Sequence, residues 1–214
     1  MNERTIVYRF KNGLYINLTN RCPNLCVFCI KTKWHMQFNG HNLDLAGQEP
    51  SAQEVLDALD RELQKAPVQE VVFCGYGECT MRLDVLLEIG RTLKTAQTVG
   101  KYPPFKIRLN TNGLGNLINK RNIAPELKTA VDRVCISLNA ENEDLWRKLL
   151  HPAPGYENGF QSVLDFIQAC ANEKFDRVTA SCVENTGADA QAVQALAAQY
   201  GAQFNEREFL NEKS

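Results

Sequence analysis

Three cysteines, Cys22, Cys26 and Cys29, stand in the run C-P-N-L-C-V-F-C, a C-x3-C-x2-C spacing. The run follows a strand-like stretch, Leu14-Tyr15-Ile16-Asn17-Leu18. Thiols this close along a chain form a metal-binding pattern. Ordinary iron–sulfur and structural zinc sites take four protein ligands. Three thiolates leave one coordination position open, and an iron with an open position can bind a second molecule. A zinc site would need a fourth ligand. No second C-x2-C or H-x3-5-H pair follows, so only His35 or His41 would complete it as a Cys3His set. An electron-transfer ferredoxin would supply all four cysteines itself.

Further polar or glycine-rich runs end other strand-like stretches. They are Gly75-Tyr76-Gly77-Glu78, Asn110-Thr111-Asn112-Gly113, Ser137-Leu138-Asn139 and Val183-Glu184-Asn185. Each alone reads as a cap or a turn. Together they fit one mouth, because chemistry in βα architectures gathers at the carboxyl ends of the strands.

The elements that must position these residues alternate. Strands are expected at Leu14–Leu18, Glu70–Cys74, Lys106–Asn110, Arg133–Leu138 and Arg177–Val183, with a weaker one at Gln203–Arg207. Helical spacing fills the intervals at Ser51–Ala66, Leu83–Thr98, Gly159–Asn172 and Ala188–Tyr200. Ser51 and Glu54 form an S-x-x-E capping box at the first of them. Strand–helix alternation implies βαβ units and a parallel sheet. The chain therefore reads as α/β, with no linker or repeat, and as one domain over residues 1–214 with its core at about 14–207.

The chain has 214 residues, 44% of them hydrophobic and 23% charged, with a net charge of -1. This balance gives no global field toward nucleic acid or an anionic membrane, and no apolar run is long enough to span a bilayer. Met1-Asn2-Glu3-Arg4-Thr5 lacks the pattern of a signal peptide, so the expected location is the cytoplasm. There the eight cysteines are expected as thiols rather than disulfides. Cys135, Cys170 and Cys182 read as small buried hydrophobes. Cys74 and Cys79 flank the glycine-rich turn.

The cysteine run, with Phe28 before its last cysteine, resembles the signature of the radical S-adenosylmethionine (radical SAM) enzymes. Phe73-Cys74-Gly75-Tyr76-Gly77-Glu78-Cys79-Thr80 is similar to that family's G-x-G-E-P segment. The runs L-Y-I-N-L-T-N-R-C, G-Y-G-E-C-T-M-R-L-D and L-N-T-N-G-L-G resemble a subgroup associated with TatD-type nucleases. The resemblance implies a partial (β/α) barrel of five to six parallel strands. It implies a [4Fe–4S] cluster on Cys22, Cys26 and Cys29, with S-adenosylmethionine on the fourth iron. Reductive cleavage would then give a 5′-deoxyadenosyl radical that abstracts hydrogen from a substrate. In this scheme Glu78 accepts from the methionine ammonium, and Gly75 and Gly77 allow close backbone approach. Asn110, Asn112, Ser137 and Asn139 hydrogen-bond ribose or carboxylate, and the backbone at Phe28 faces adenine. A reducing donor such as flavodoxin or ferredoxin is implied as a partner. Activities like those of 7-carboxy-7-deazaguanine synthase or of a glycyl-radical activase are open within the family. The family proline after the glutamate is Cys79 here, a packing residue or a thiol near the cluster.

Residues 30–48 read as a long loop carrying Lys31, Lys33, Trp34, His35 and His41. Its mixture of basic and aromatic residues fits a lid, or contact with a nucleic-acid base and phosphate. His151-Pro152-Ala153-Pro154-Gly155 reads as a helix stop, and Trp146 as core or rim. A short barrel is expected to leave an open side for a large substrate.

Overall fold

The computed structural model describes residues 4–210. The stretch Met1-Asn2-Glu3 of the N-terminal reading, and residues 211–214 at the expected domain end, lie outside them.

A seven-stranded sheet runs through the molecule. Strands β1 (Val7–Phe10) and β2 (Gly13–Ile16) form an antiparallel hairpin at one edge. β5 (Glu70–Phe73), β6 (Lys106–Thr111), β7 (Arg133–Ser137), β8 (Arg177–Val183) and β9 (Gln203–Arg207) follow in chain order, all parallel to β2. The strands β3 (Gln37–Phe38) and β4 (His41–Asn42) make a small separate hairpin. Six parallel strands thus match the expected partial barrel, and β1 is an addition to it.

The helices between strands include α2 (Ala52–Lys65), α3 (Leu83–Thr98), α7 (Gly159–Asn172) and α8 (Ala190–Gln199). Local chemistry sets their starts. Ser51 and Glu54 close the capping box on α2, and Asp189 accepts from Gln191 and Ala192 at the head of α8. α2, α3 and α7 each turn a buried apolar face inward.

Strand alternation separates two environments. Leu109, Val134, Ile136 and Ala180 face the helices and are buried in the core. Their neighbours Arg108, Asn110, Cys135, Ser137, Thr179 and Ser181 face a lumen on the concave side of the sheet. A sheet with period two and one curved face must sort residues in this way.

Two expectations need correction. Residues 30–48 are not a structureless loop. They form the short helix α1 (Ile30–Lys33) and the β3–β4 hairpin, pinned by buried Leu43 and Leu45. Cys135 is not buried in the core; it lies on the lumen side of β7. Cys170 and Cys182 are core residues, as is the fully buried Trp146.

Candidate active site

The cysteine loop leaves β2 through Leu18 and Thr19 and crosses the carboxyl end of the sheet. It is stitched to the end of helix α6 (Glu143–Leu150) and the segment after it. Leu25 and Val27 donate to the carbonyls of Leu150 and Leu149, each at 2.9 Å, and Ala153 donates to Pro23 at 2.7 Å. Asn24 forms a bridge with Pro152. The proline-rich turn after α6 therefore braces the cysteine loop, beyond stopping a helix.

The next strand end packs on the approach to the loop. A side chain at Gly77 would place its Cβ 2.6 Å from the Arg21 carbonyl, and one at Gly75 would stand 2.9 Å from the Asn17 Cα. Glycine is thus required by the neighbouring protein backbone at both positions, in addition to any approach by a ligand. Glu78 donates its amide to the same Arg21 carbonyl at 2.8 Å.

The Glu78 carboxylate is buried and fully engaged on one side. Its Oε1 accepts from the Thr80 amide at 3.1 Å, the Thr80 hydroxyl at 2.7 Å and the Thr111 hydroxyl at 2.8 Å. Its Oε2 accepts from the Asn112 amide at 2.7 Å. Burial raises the Glu78 carboxyl pKa, while these bonds pull it the other way. Oε1 carries three bonds and Oε2 one, so Oε2 is the oxygen with room for another donor. The Asn112 side chain places Nδ2 3.8 Å from the Cys22 sulfur and accepts from the Leu114 amide through Oδ1.

A cavity of about 510 Å³ opens over the lumen. It is lined by Cys22, Cys26 and Cys29, by Phe28, by Gly75, Gly77 and Glu78, and by Asn110, Asn112 and Ser137. Asn139 lies outside this lining. It is buried, takes a left-handed φ of 65°, and accepts from Arg207 Nη2 at 3.0 Å. Asn110 is likewise committed, accepting from Arg108. Cys74 lines the cavity, whereas Cys79 is buried in the core at the start of a 3-10 turn, Cys79–Arg82. That placement makes Cys79 a packing residue rather than a thiol facing the cavity.

Burial pushes the Cys22 thiol up to about 11 and the Cys26 thiol up to about 12. Such thiols become thiolates when a metal replaces the proton. Among the described residues, no three His, Cys, Asp or Glu side chains converge to hold one metal ion. Thiolates that each hold a separate iron need not converge on one point. Asn24 adds a second sign of fit. Both ends of its side-chain amide are buried without a partner, and it lines the same cavity. A bare buried amide is costly, and a polar cofactor beside the thiols would satisfy it.

Two lumen residues, Asn24 and Arg207, carry little signal in the sequence. Asn24 lies inside the cysteine run itself, and Arg207 is marked only by alternation with Asn205 on the last strand.

The radical SAM superfamily profile matches residues 16–187. A probable GTP 3′,8-cyclase of Methanosarcina mazei is 31% identical over 145 residues, which is 67% of this chain and 37% of that protein. A probable dual-specificity RNA methyltransferase RlmN of a Synechococcus species is 29% identical over 160 residues, covering 74% and 42%. The chain thus spans about two fifths of the length of these curated relatives. Among solved structures, native anSMEcpe with bound AdoMet and Kp18Cys peptide superposes with a TM-score of 0.65 at 18% identity, covering 92% of this chain and 51% of that one. That likeness concerns the fold. With the cysteine run at the mouth of a parallel sheet and the matched profile spanning most of it, the chain belongs to the radical SAM superfamily, whose enzymes use a [4Fe–4S] cluster and S-adenosylmethionine.

Proposed function

We propose that this chain is a radical SAM enzyme whose cluster is held by Cys22, Cys26 and Cys29. The observation that carries the reading is the meeting of these thiols with Glu78 and Asn112 at one cavity. A [4Fe–4S] cluster held by these three cysteines would supply the reducing electron for cleavage of S-adenosylmethionine, and so the means to abstract hydrogen from a substrate.

The chain's own residues do the positioning. The Pro23–Val27 backbone is clamped to residues 149–153, which fixes where the sulfurs point. Glu78 ties the glycine turn to the ends of β5 and β6 and offers Oε2 to an ammonium group. Phe28, Gly75, Gly77, Asn112 and Ser137 complete the cofactor side. The lumen behind them is walled by Tyr8, Phe10, Tyr15 and Phe38.

The substrate reading favours a nucleotide or nucleic-acid base over a glycyl peptide, because the relatives' names include a GTP cyclase and an RNA methyltransferase. Trp34 does not add to it. Its ring stacks on Phe38 at 5.9 Å and is partly buried. Membership of the TatD-associated subgroup, and a flavodoxin or ferredoxin as reductant, belong to this reading on the strength of the sequence motifs.

The test is 5′-deoxyadenosine formation by the anaerobically reconstituted chain with dithionite and S-adenosylmethionine, beside Cys26→Ala. Product from the wild type alone supports the reading. Equal product from both chains rejects the ligand assignment, and purification with zinc and no iron rejects the enzyme reading altogether.

A further inference from the structure

The lumen contains two guanidinium groups with opposite circumstances. Arg108 is compensated. Its Nε and Nη2 donate to Glu70 at 3.2 and 3.0 Å, and its Nη1 donates to Asn110. Burial lowers its pKa, but Cys135 and Glu70 outweigh that, and the net shift is upward.

Arg207, at the end of β9, has no such partner. Its one bond from Nη2 goes to the neutral Asn139 Oδ1. Its Nε is buried with no hydrogen-bond acceptor. Among the described residues no carboxylate pairs with it. Its neighbours are the thiols of Cys74, Cys182, Cys26 and Cys135, and burial pulls its pKa below the ordinary value. Of the lumen's own acids, Glu78 is committed to Thr80, Thr111 and Asn112, and Glu208 makes no ion pair. Arg207 is half-buried as a residue, but its Nε is closed off without an acceptor, which is unfavourable for a cation. A thiolate at Cys26 would offset part of the charge, and the guanidinium is left placed for an anion that the described residues do not supply.

We propose that Arg207 anchors an anionic group of the substrate, a carboxylate or a phosphate, held in the lumen against β7, β8 and β9. Polar side chains of the neighbouring strands line the same lumen. Thr179 on β8 and Asn205 on β9 face it, whereas the Ser181 hydroxyl already donates to the Ile136 carbonyl at 3.4 Å. A planar guanidinium with a hydroxyl and an amide donor beside it is a donor set that carboxylate and phosphate oxygens take. This inference rests on the lumen being the substrate site of the radical reading. The same chemistry has a second possible source, the carboxylate of S-adenosylmethionine itself.

The experiment follows the side-chain Nε–H resonances of the full-length chain by 15N NMR during titration with inorganic phosphate and, separately, acetate. A saturable shift of one resonance that is missing from Arg207→Gln supports the anchor. No saturable shift with either anion through the millimolar range overturns it. Arg207→Lys is made alongside, so a Gln chain that fails to fold does not end the test; its anion affinity is expected to fall about 10-fold or more with the loss of the fork.

S-adenosylmethionine binding to the reconstituted variants separates the sources. Affinity within about twofold of wild type keeps the anion with the substrate, and a loss of about 10-fold or more assigns it to the cofactor and overturns the substrate half. The wild-type 5′-deoxyadenosine assay bears on the radical reading alone, so either idea can fail without the other.

Discussion

The backbone amide of Asn112 donates to Glu78 Oε2 at 2.7 Å, tying the end of β6 to the glycine turn after β5. One residue thus links two strand ends beneath the cysteine loop, and its carboxylate has protein partners before any ligand arrives. Glu78→Ala leaves buried donors on Thr80, Thr111 and Asn112 unpaired. It is expected to destabilise the apo chain by about 3 kcal/mol or more, read by urea denaturation. A change under about 0.5 kcal/mol would mean that these bonds hold nothing together. Loss of cofactor binding in this variant is therefore not a clean measure of a contact to the methionine ammonium.

Gly77→Ala forces a methyl group against the Arg21 carbonyl and the Asn20 backbone. Overpacking of this kind costs about 1–3 kcal/mol. Because Arg21 directly precedes Cys22, the variant is expected to retain less iron after reconstitution than wild type at matched protein concentration. Full iron content with unchanged stability would show that the turn can move aside freely.

Cys79 occupies the first position of a 3-10 turn capped by Glu78. Proline is well suited to the first position of a helical turn, where the missing amide hydrogen is not required. Cys79→Pro is expected to change stability by no more than about 1 kcal/mol, and Cys79→Ala to keep a full complement of iron. A drop in iron content on Cys79→Ala would give the thiol a place in the metal centre.

Glu49 reaches from the segment before α2 to the strand end that leads into the cysteines. It accepts from Arg21 at 2.8 and 3.0 Å and from the Thr19 hydroxyl, and it pairs with Arg82 at 3.3 Å. Burial alone would raise its pKa, but these partners outweigh it, and the folded value lies below the ordinary one. A depressed folded value means the unfolded chain takes up the proton first as pH falls. Its stabilisation is present above the unfolded pKa and is lost as pH drops through the folded one. Urea midpoints measured below neutral pH should fall less steeply for Glu49→Gln than for wild type. Parallel curves would remove Glu49 from the acid response.

Much of this architecture is legible in the sequence, and the rest is hidden for identifiable reasons. The parallel strands show as apolar runs because Leu109, Val134 and Ile136 must meet the helices. β1 hides because Val7-Tyr8-Arg9-Phe10 buries only Tyr8 and holds its place by pairing with β2. The β3–β4 hairpin hides because two-residue strands have no period to read. Cys135 misleads because alternation reveals that a strand has two faces without telling which one meets a core and which a lumen. The cysteine loop is plain from spacing, but its brace on residues 149–153 depends on contacts far apart in the chain, as does the commitment of Asn139 to Arg207.

That brace also has a consequence in time. The cysteines lie near the start of the chain, while the backbone that fixes their loop ends at Ala153. During synthesis at about 5–20 residues per second, the three thiols exist for on the order of ten seconds before their support has been made. Through that interval they sit on a segment with no fixed geometry. The cysteine face is therefore completed late, and a metal captured early would meet a different arrangement of sulfurs from the one the finished sheet holds.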